Sequence, residues 1–496
     1  MKFSKSIFIK CSVFATILLI WQSCNRMDEG HFPELPIASF EVINSRTAIG
    51  DTVQVLQNSV SIKGNIAEWH WDFGNGDTSD KKYPAYSYSE EGNYELSLYV
   101  VDNLGNKSEN VFKERITVIT NVDKEPQILW QTELPYFAEL NSMSISTNGL
   151  IHIGTMGRQS NPERGNNALA VRNGSIVWGH LMRDAVRSTP TVTESGVAYY
   201  ASITGEILAV EANGNVKWNV TLPHRIYYTS PVYAKDGTIY IGSEQGLVYA
   251  LNPENGSTKW TFNAGTTTIR STPVIDSKGF IYIASNDDYL YKISPEGQEV
   301  WRSFVADYIR NGIPAIDETR NTIYVSAKTA GTQVGVLVAY NLDSGAEQWR
   351  NDSRFDGRLE DGGPAIAEDG TLYLGGRDKK LVAYNTDGTV KWEYETTGLL
   401  HGVPAIDDRG QIYFGDDKGY FYIVDRNGKT AWKNIQLGTK INTSVNIDDN
   451  GIVYVLSQSG NTSTITAMKT NATSYAKNSP WAMQLKNPQR SGSNMR

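Results

Sequence analysis

Cysteine is almost absent from this 496-residue chain: there are two, Cys11 inside an apolar leader and Cys24 at its end. A mature form beginning at Cys24 has no intrachain disulfide, and no adjacent cysteine pair is available for redox work. Histidine is scarce as well, with six residues and no HExxH or comparable ligand spacing, so no metal site is expected. There is no GxSxG elbow for a serine nucleophile, and no catalytic residue is assigned. The net charge is −8 and no Lys/Arg cluster supplies the basic face that phosphate neutralisation needs, which excludes nucleic acid as a partner. The apolar leader "SVFATILLIW" falls short of the ~20 residues that a bilayer-spanning helix requires.

What is present begins with an address. Lys2, Lys5 and Lys10 precede the apolar run and "WQSC" ends it, which reads as a signal peptide over 1–23. A lone cysteine in that place resembles the lipidated cysteine of bacterial lipoproteins, although Trp21 and Gln22 depart from the small and leucine-like residues of that box. The resemblance implies acylation of Cys24, a linker over 24–33, and a membrane anchor by acyl chains that each bury CH₂ groups at about 0.8 kcal/mol apiece. Asp28-Glu29 just beyond looks like the export tag of some surface lipoproteins, implying an outer-membrane and surface-exposed location.

Glycine (44), tyrosine (27) and tryptophan (12) are plentiful, a turn-rich all-β composition. Over 34–121, "ASFEV", "VQVLQNS", "EWHWDFGNGDTS", "YELSLYVVDNLG" and "VFKERITVI" are short alternating segments between turn signals, as in a β-sandwich. Trp71-Asp72-Phe73-Gly74, Gly76, Pro84 to Tyr88, Gly92-Asn93-Tyr94 and Asp102 resemble the PKD domain at its spacing, with Asn75 for its usual Asp and Tyr86 for its usual His. The resemblance implies a spacer or interaction module. Trp71 and Phe73 read as core.

From residue 126 to 470 the sequence repeats. Trp130, Trp178, Trp218, Trp260, Trp301, Trp349, Trp392 and Trp432 recur at spacings of 48, 40, 42, 41, 48, 43 and 40. Between them stand six full phrases such as "TPVIDSKGFIYIAS" and two degenerate ones, "SMSISTNGLIHIGT" and "SVNIDDNGIVYVLS". Each unit holds four strands, the unit of a propeller blade. Trp130 has no inner strands before it and the last inner set has no Trp strand after it, so "ILWQTEL" is expected to complete the eighth blade. Each Trp is expected to dock one blade on the next, and the tail, 471–496, to pack on the body.

This pattern resembles the PQQ-like eight-bladed propeller family, which includes pyrroloquinoline-quinone dehydrogenases and assembly lipoproteins of the BamB type. The tail's "PWAMQLKNPQRSG" resembles a segment found in such proteins. The quinoprotein branch implies adjacent cysteines, which are missing here, and calcium ligands that cannot be located, so PQQ is not expected and no cofactor is assigned.

Loop lengths distinguish the two faces. The long insertions 156–167 and 328–335 and the longest blade connection, 349–364, all open on one side, whereas turns such as "AKDGT" and "NTDGT" on the other are short. Loops on a rigid scaffold are where binding residues accumulate. Three residues before each inner-strand Pro, or its equivalent Val445, stand Arg187, Tyr228, Arg270, Asn311, Asp361, His401 and Asn442, with Leu140 in the first blade. This ring is expected to surround the channel mouth, and its mixed guanidinium, phenol, amide and imidazole groups suit a glycan or peptide. The acid pairs Asp287-Asp288, Glu360-Asp361 and Asp416-Asp417 read as solvated turn residues. The expected function is a non-catalytic envelope lipoprotein whose PKD spacer presents the propeller for binding. The alternatives are a BamB-like assembly scaffold, and a polysaccharide lyase or glycosidase using the channel ring.

Overall fold

Two compact units divide the chain, one up to residue 122 and one from 123 onward. The computed structural model describes residues 35–492 apart from 43–44, 51, 54, 120–125, 139–140, 158–165, 266, 308, 310–311, 330–333, 355–361 and 488. Cys24 and the leader therefore lie outside the described residues, as do Asn311 and Asp361 of the expected ring.

In the first unit, Ile66–Asp72, Gly92–Asp102 and Phe112–Ile119 are the long strands of a five-stranded sheet, flanked by Thr78–Ser79 and Arg46–Ala48. Two short strand pairs, Phe40–Val42 with Val55–Gln57 and Thr52–Val53 with Tyr86–Ser87, complete the sandwich. Alternation sends Trp71, Leu96, Leu98 and Val100 into a core with Phe40, Phe73, Tyr88 and Ile116. Asp102 is buried and its carboxylate accepts from the amides of Leu104 and Asn106 and from Ser61 Oγ, closing the turn that follows. The two departures from the PKD pattern meet: Asn75 Nδ2 donates to Tyr86 Oη at 2.6 Å, and Tyr86 in turn donates to Asp77.

The second unit is an eight-bladed propeller of four-stranded antiparallel sheets. Blades 1 to 7 occupy 144–180, 191–221, 232–263, 274–304, 315–354, 365–395 and 405–436, each running from a short, fully buried inner strand outward. Blade 8 takes three strands from 446–469 and its outer strand, Gln127–Glu133, from the start of the unit, with Trp130 opposite Ala467. Joining the two ends in one sheet removes an exposed edge and closes the ring.

Three local devices explain why the repeated phrase folds this way. Opposite the Trp of blades 1, 2, 3, 5 and 6 stands a small residue, Ala170, Ala209, Ala250, Ala339 or Ala383, followed by a break in register. A bulge there adds twist and tips the indole toward the next blade. The indole then lies on a positive-φ glycine of that blade: a Cβ on Gly388 (φ +83) would come within 2.5 Å of Trp349. Its Nε1 donates onward, from Trp349 to Thr386 O and from Trp392 to Arg426 O, both at 2.8 Å.

The second device is a clamp written D-x-x-G-x-x-Y. In "DDRGQIY", Asp407 Oδ1 accepts from the amides of Arg409 and Gln411 while Oδ2 accepts from Tyr413 Oη at 2.8 Å. Asp276 with Tyr282 and Asp448 with Tyr454 repeat it.

The third device is a belt at the residue before each inner-strand Pro. Backbone N–H groups donate to hydroxyls of the next blade, from Val403 to Ser444, Ser444 to Ser142, Ser142 to Thr189, Thr189 to Ser230 and Ser230 to Thr272, at 2.8–3.0 Å.

The tail crosses the axis at the other end of the inner strands. Carbonyls of Trp481, Ala482, Gln489 and Gly492 accept from the amides of Ile366, Ile406, Val192 and Ile275, pairing inner edges that would otherwise be unsatisfied. Arg490 is wholly buried, with Nε on Met143 O and Nη2 on Val445 O, both 3.0 Å. It thus spans the seam between blades 1 and 8, and burial pushes its guanidinium down to about 9.

Candidate functional site

The tail's contacts fall two residues after the inner-strand Pro, whereas the expected ring lies three residues before it. At ~3.3 Å per strand residue these levels are on the order of 16 Å apart along the axis. The channel is thus crossed by the tail at one level and opens at the other, on the face of the long loops. There a small, solvent-open cavity is lined by Tyr228, Arg270, His401 and Asn442, with belt residues Thr189, Ser230, Thr272 and Ser444 below them and Gln484 of the tail beside them.

The structure therefore brings four of the seven expected residues to one cavity. Arg187 stands beside it: its guanidinium lies over the Tyr227 ring at 4.6 Å, donates to Tyr227 Oη, and approaches Tyr228 Oη at 3.5 Å. Arg270 approaches the same Tyr227 ring at 5.2 Å, and its Nη2 is 3.8 Å from Glu244 Oε1, while Glu244 Oε2 lies 3.9 Å from Arg225 Nε. Two guanidiniums sharing one phenol ring hold this arc of the mouth in place. Asn442 is buried, 3% exposed, because its position faces the closed ring of inner-strand ends. Three polar atoms that are buried without a hydrogen-bond partner belong to residues of this cavity: Arg270 Nε, Asn442 Oδ1 and Gln484 Oε1.

Sequence reasoning did not single out Tyr227, Glu244, Gln484 or the belt. The belt had a signal, a hydroxyl residue two positions after the ring in five of the blades; it is replaced at Ile313, Gly363 and Val403. Gln484 had none, because nothing periodic marks the tail's route. The acid pairs need a correction: Asp416 is not solvated but wholly buried, accepting from Tyr422 Oη at 2.8 Å, Thr397 Oγ1 at 2.6 Å and the amides of Lys418 and Tyr420. Turn carboxylates here close hairpins, and burial is the consequence of having enough donors to replace water. Asp287 likewise accepts from Tyr291.

Among the described residues no group of three or more His, Cys, Asp or Glu side chains is placed to hold a metal ion, and no carboxylate lines the cavity. No described helix is long and apolar enough to cross a membrane.

Comparison with known proteins gives two family matches. The family described as outer membrane protein assembly factor BamB matches over 167–332 and 333–473, and the PKD domain over 34–118. Among solved structures, BamB from Moraxella catarrhalis is similar over 70% of this chain and 100% of its own, with 16% identity and a TM-score of 0.55. A europium-containing methanol dehydrogenase is similar over 68% and 85%, with 13% identity and a TM-score of 0.54. At such identities the likeness is one of fold. Among curated proteins, the pre-pro-metalloprotease PrtV of Vibrio cholerae is 39% identical over 70 residues, 14% of this chain and 7% of its own. A microbial collagenase of Vibrio alginolyticus is 33% identical over 85 residues, 17% and 10% respectively. The chain thus spans a tenth or less of the length of these curated relatives.

Proposed function

The chain belongs to the family of the outer membrane protein assembly factor BamB, and from that premise we propose that it is a non-catalytic binding and scaffolding protein of a bacterial cell envelope. In this reading Cys24 carries the lipid anchor, the PKD unit is the spacer, and the ligand, protein or glycan, enters the propeller at the long-loop mouth. One observation carries the choice of face: the tail occupies the channel at one level, leaving the polar cavity of Tyr228, Arg270, His401 and Asn442 accessible from the other.

The test is photocrosslinking in intact envelopes with the full chain, placing the photoreactive residue at Tyr228 or, as control, at Asn450 in the turn between the first two strands of blade 8. Adducts from position 228 are expected. Adducts confined to position 450 would place the working surface on the opposite side and overturn the reading. The family match favours a second reading, that the bound partner is an outer-membrane protein undergoing assembly. It predicts that the adduct contains a β-barrel precursor and that deletion of the gene lowers outer-membrane protein levels.

A further inference from the structure

We propose that one end of the PKD unit is a membrane-docking tip, at which Leu35, Val60, Ile62 and Leu104 seat in the headgroup region of the bilayer that holds the lipid anchor. The inference rests on the reading that Cys24 carries that anchor. It goes further in assigning a second contact with lipid, made by the protein itself.

The two ends of this sandwich are filled differently. Strands Ile66–Asp72 and Phe112–Ile119 start from one end, and Gly92–Asp102 runs back to it. At the far end the turns read Gly74-Asn75-Gly76-Asp77 and Ser89-Glu90-Glu91-Gly92, polar and acidic as solvated loops are. At the near end, "SVSIKGN" and "NLGNK" place aliphatic side chains among the turn residues. Val60, Ile62 and Leu104 are 54%, 56% and 59% exposed there, and Leu35 is 37% exposed. The four are neighbours. Ile37 and Val60 exchange backbone hydrogen bonds at 2.9 and 3.1 Å, and antiparallel register carries Leu35 toward Ile62. A Cβ on Gly64 would lie 3.6 Å from Leu104 Cγ, which joins the second loop to the first. Because these loops satisfy backbone groups among themselves, as in the bond from Asn103 N to Asn65 O at 2.9 Å, the contact is shallow and only side chains reach the acyl boundary.

Two observations name lipid as the occupant. Leu35 stands eleven residues after Cys24, a length of chain that spans at most about 40 Å when extended. The aliphatic end is therefore the tethered end, whereas Ile119 leaves from the opposite one, roughly 35 Å away along Gly92–Asp102. Charge agrees: loops 58–65 and 103–111 carry Lys63 and Lys107 against Glu109 alone, in a chain of net charge −8, and lysines at a lipid surface favour anionic headgroups. An acyl anchor alone leaves the unit free to swivel. Seating the tip holds the sandwich upright, with its exit end toward the aqueous side.

The experiment uses the full chain purified from envelopes and reconstituted into vesicles of phosphatidylethanolamine and phosphatidylglycerol, with an environment-sensitive fluorescent amino acid placed at Val60, at Leu104 or, as control, at Glu90 of the far end. Emission from positions 60 and 104 is expected to shift to the blue on vesicles and to be quenched by lipids carrying a nitroxide near the headgroup, while position 90 stays water-like. Ile62→Asp combined with Leu104→Asp, both at exposed positions, should return position 60 to the water-like value. Water-like emission at 60 and 104 would overturn the proposal, as would equal shifts at 60 and 90. A blue shift that needs no vesicles and grows with protein concentration would overturn it too, since the occupant would then be a second copy of the chain. Mass spectrometry of the mature N-terminus separates the two readings: acyl groups on Cys24 with a water-like tip keep the anchor and remove the tip, and an unacylated chain whose tip is quenched by lipid does the reverse.

Discussion

Gly388→Ala tests the docking of blade on blade. Gly388 has φ +83, where a side chain costs about 1–2 kcal/mol in backbone strain alone. Its new Cβ would also stand 2.5 Å from Trp349 Cε3 and 2.8 Å from Cδ2, so the indole must move. Displacing a packed ring costs roughly 1–3 kcal/mol, and moving it breaks the 2.8 Å bond from Trp349 Nε1 to Thr386 O, worth about 1 kcal/mol. The expected destabilisation is about 4 kcal/mol. Gly149 gives the control, because its φ is +78 but nothing lies within 4 Å of an added Cβ. Gly149→Ala should therefore lose only the strain component, about 1–2 kcal/mol. Urea unfolding followed by tryptophan fluorescence measures both. If the two variants lose stability equally, within about 0.5 kcal/mol, the indole is not gripping the neighbouring blade and the account of the repeat is wrong.

Three further outcomes are expected. Trp481→Ala, removing a side chain 1% exposed in the tail, should cost about 4 kcal/mol and speed hydrogen exchange at the amides of Ile366 and Ile406; unchanged exchange there would disprove the axial seat. His152 is buried against Tyr200 and Trp178, and burial holds its imidazole neutral down to about 3. The unfolded chain takes up that proton near pH 6.5, so the contribution is complete above 6.5 and lost as pH falls, about 2 kcal/mol by pH 5. Thermal melts of wild type and His152→Gln should converge across that window, and parallel acid limbs would rule the buried neutral ring out. Asp407 has the opposite sign: burial raises its carboxyl to about 6, so its contribution is full below about pH 3.8 and declines as pH rises through 6, by roughly 3 kcal/mol. Asp407→Asn should remove that decline while keeping a turn acceptor, whereas Asp407→Ala should lose the clamp at every pH; equal melting curves for the two would show that the clamp is not needed.

Much of the fold was legible because its signals are local and repeated. Eight tryptophans, a Pro-led inner phrase and a glycine turn determine four strands per blade, and the unmatched Trp130 strand implies closure through blade 8. The ring of expected site residues was legible only as positions. Register placed Tyr228, Arg270, His401 and Asn442 at equivalent points of successive blades, and equivalence in a closed ring brings them to one mouth. Which atoms would be left without partners was not readable, since that depends on distances between blades far apart in sequence.

The sequence by itself determined the strand period, the tryptophan spacing and the closure through Trp130, because each is settled by the repeat and its two ends. Only the tertiary structure decided that Asp416 is buried and that the hydroxyl belt links one blade's amide to the next blade's side chain. The same is true of the tail, whose "PWAMQLKNPQRSG" has no period to reveal its path. It is guided instead by unpaired inner-strand amides of blades 2, 4, 6 and 7, which converge only once the ring has closed. Arg490 and Gln484 acquire their places at that point, one across the seam of the ring and the other beside its cavity.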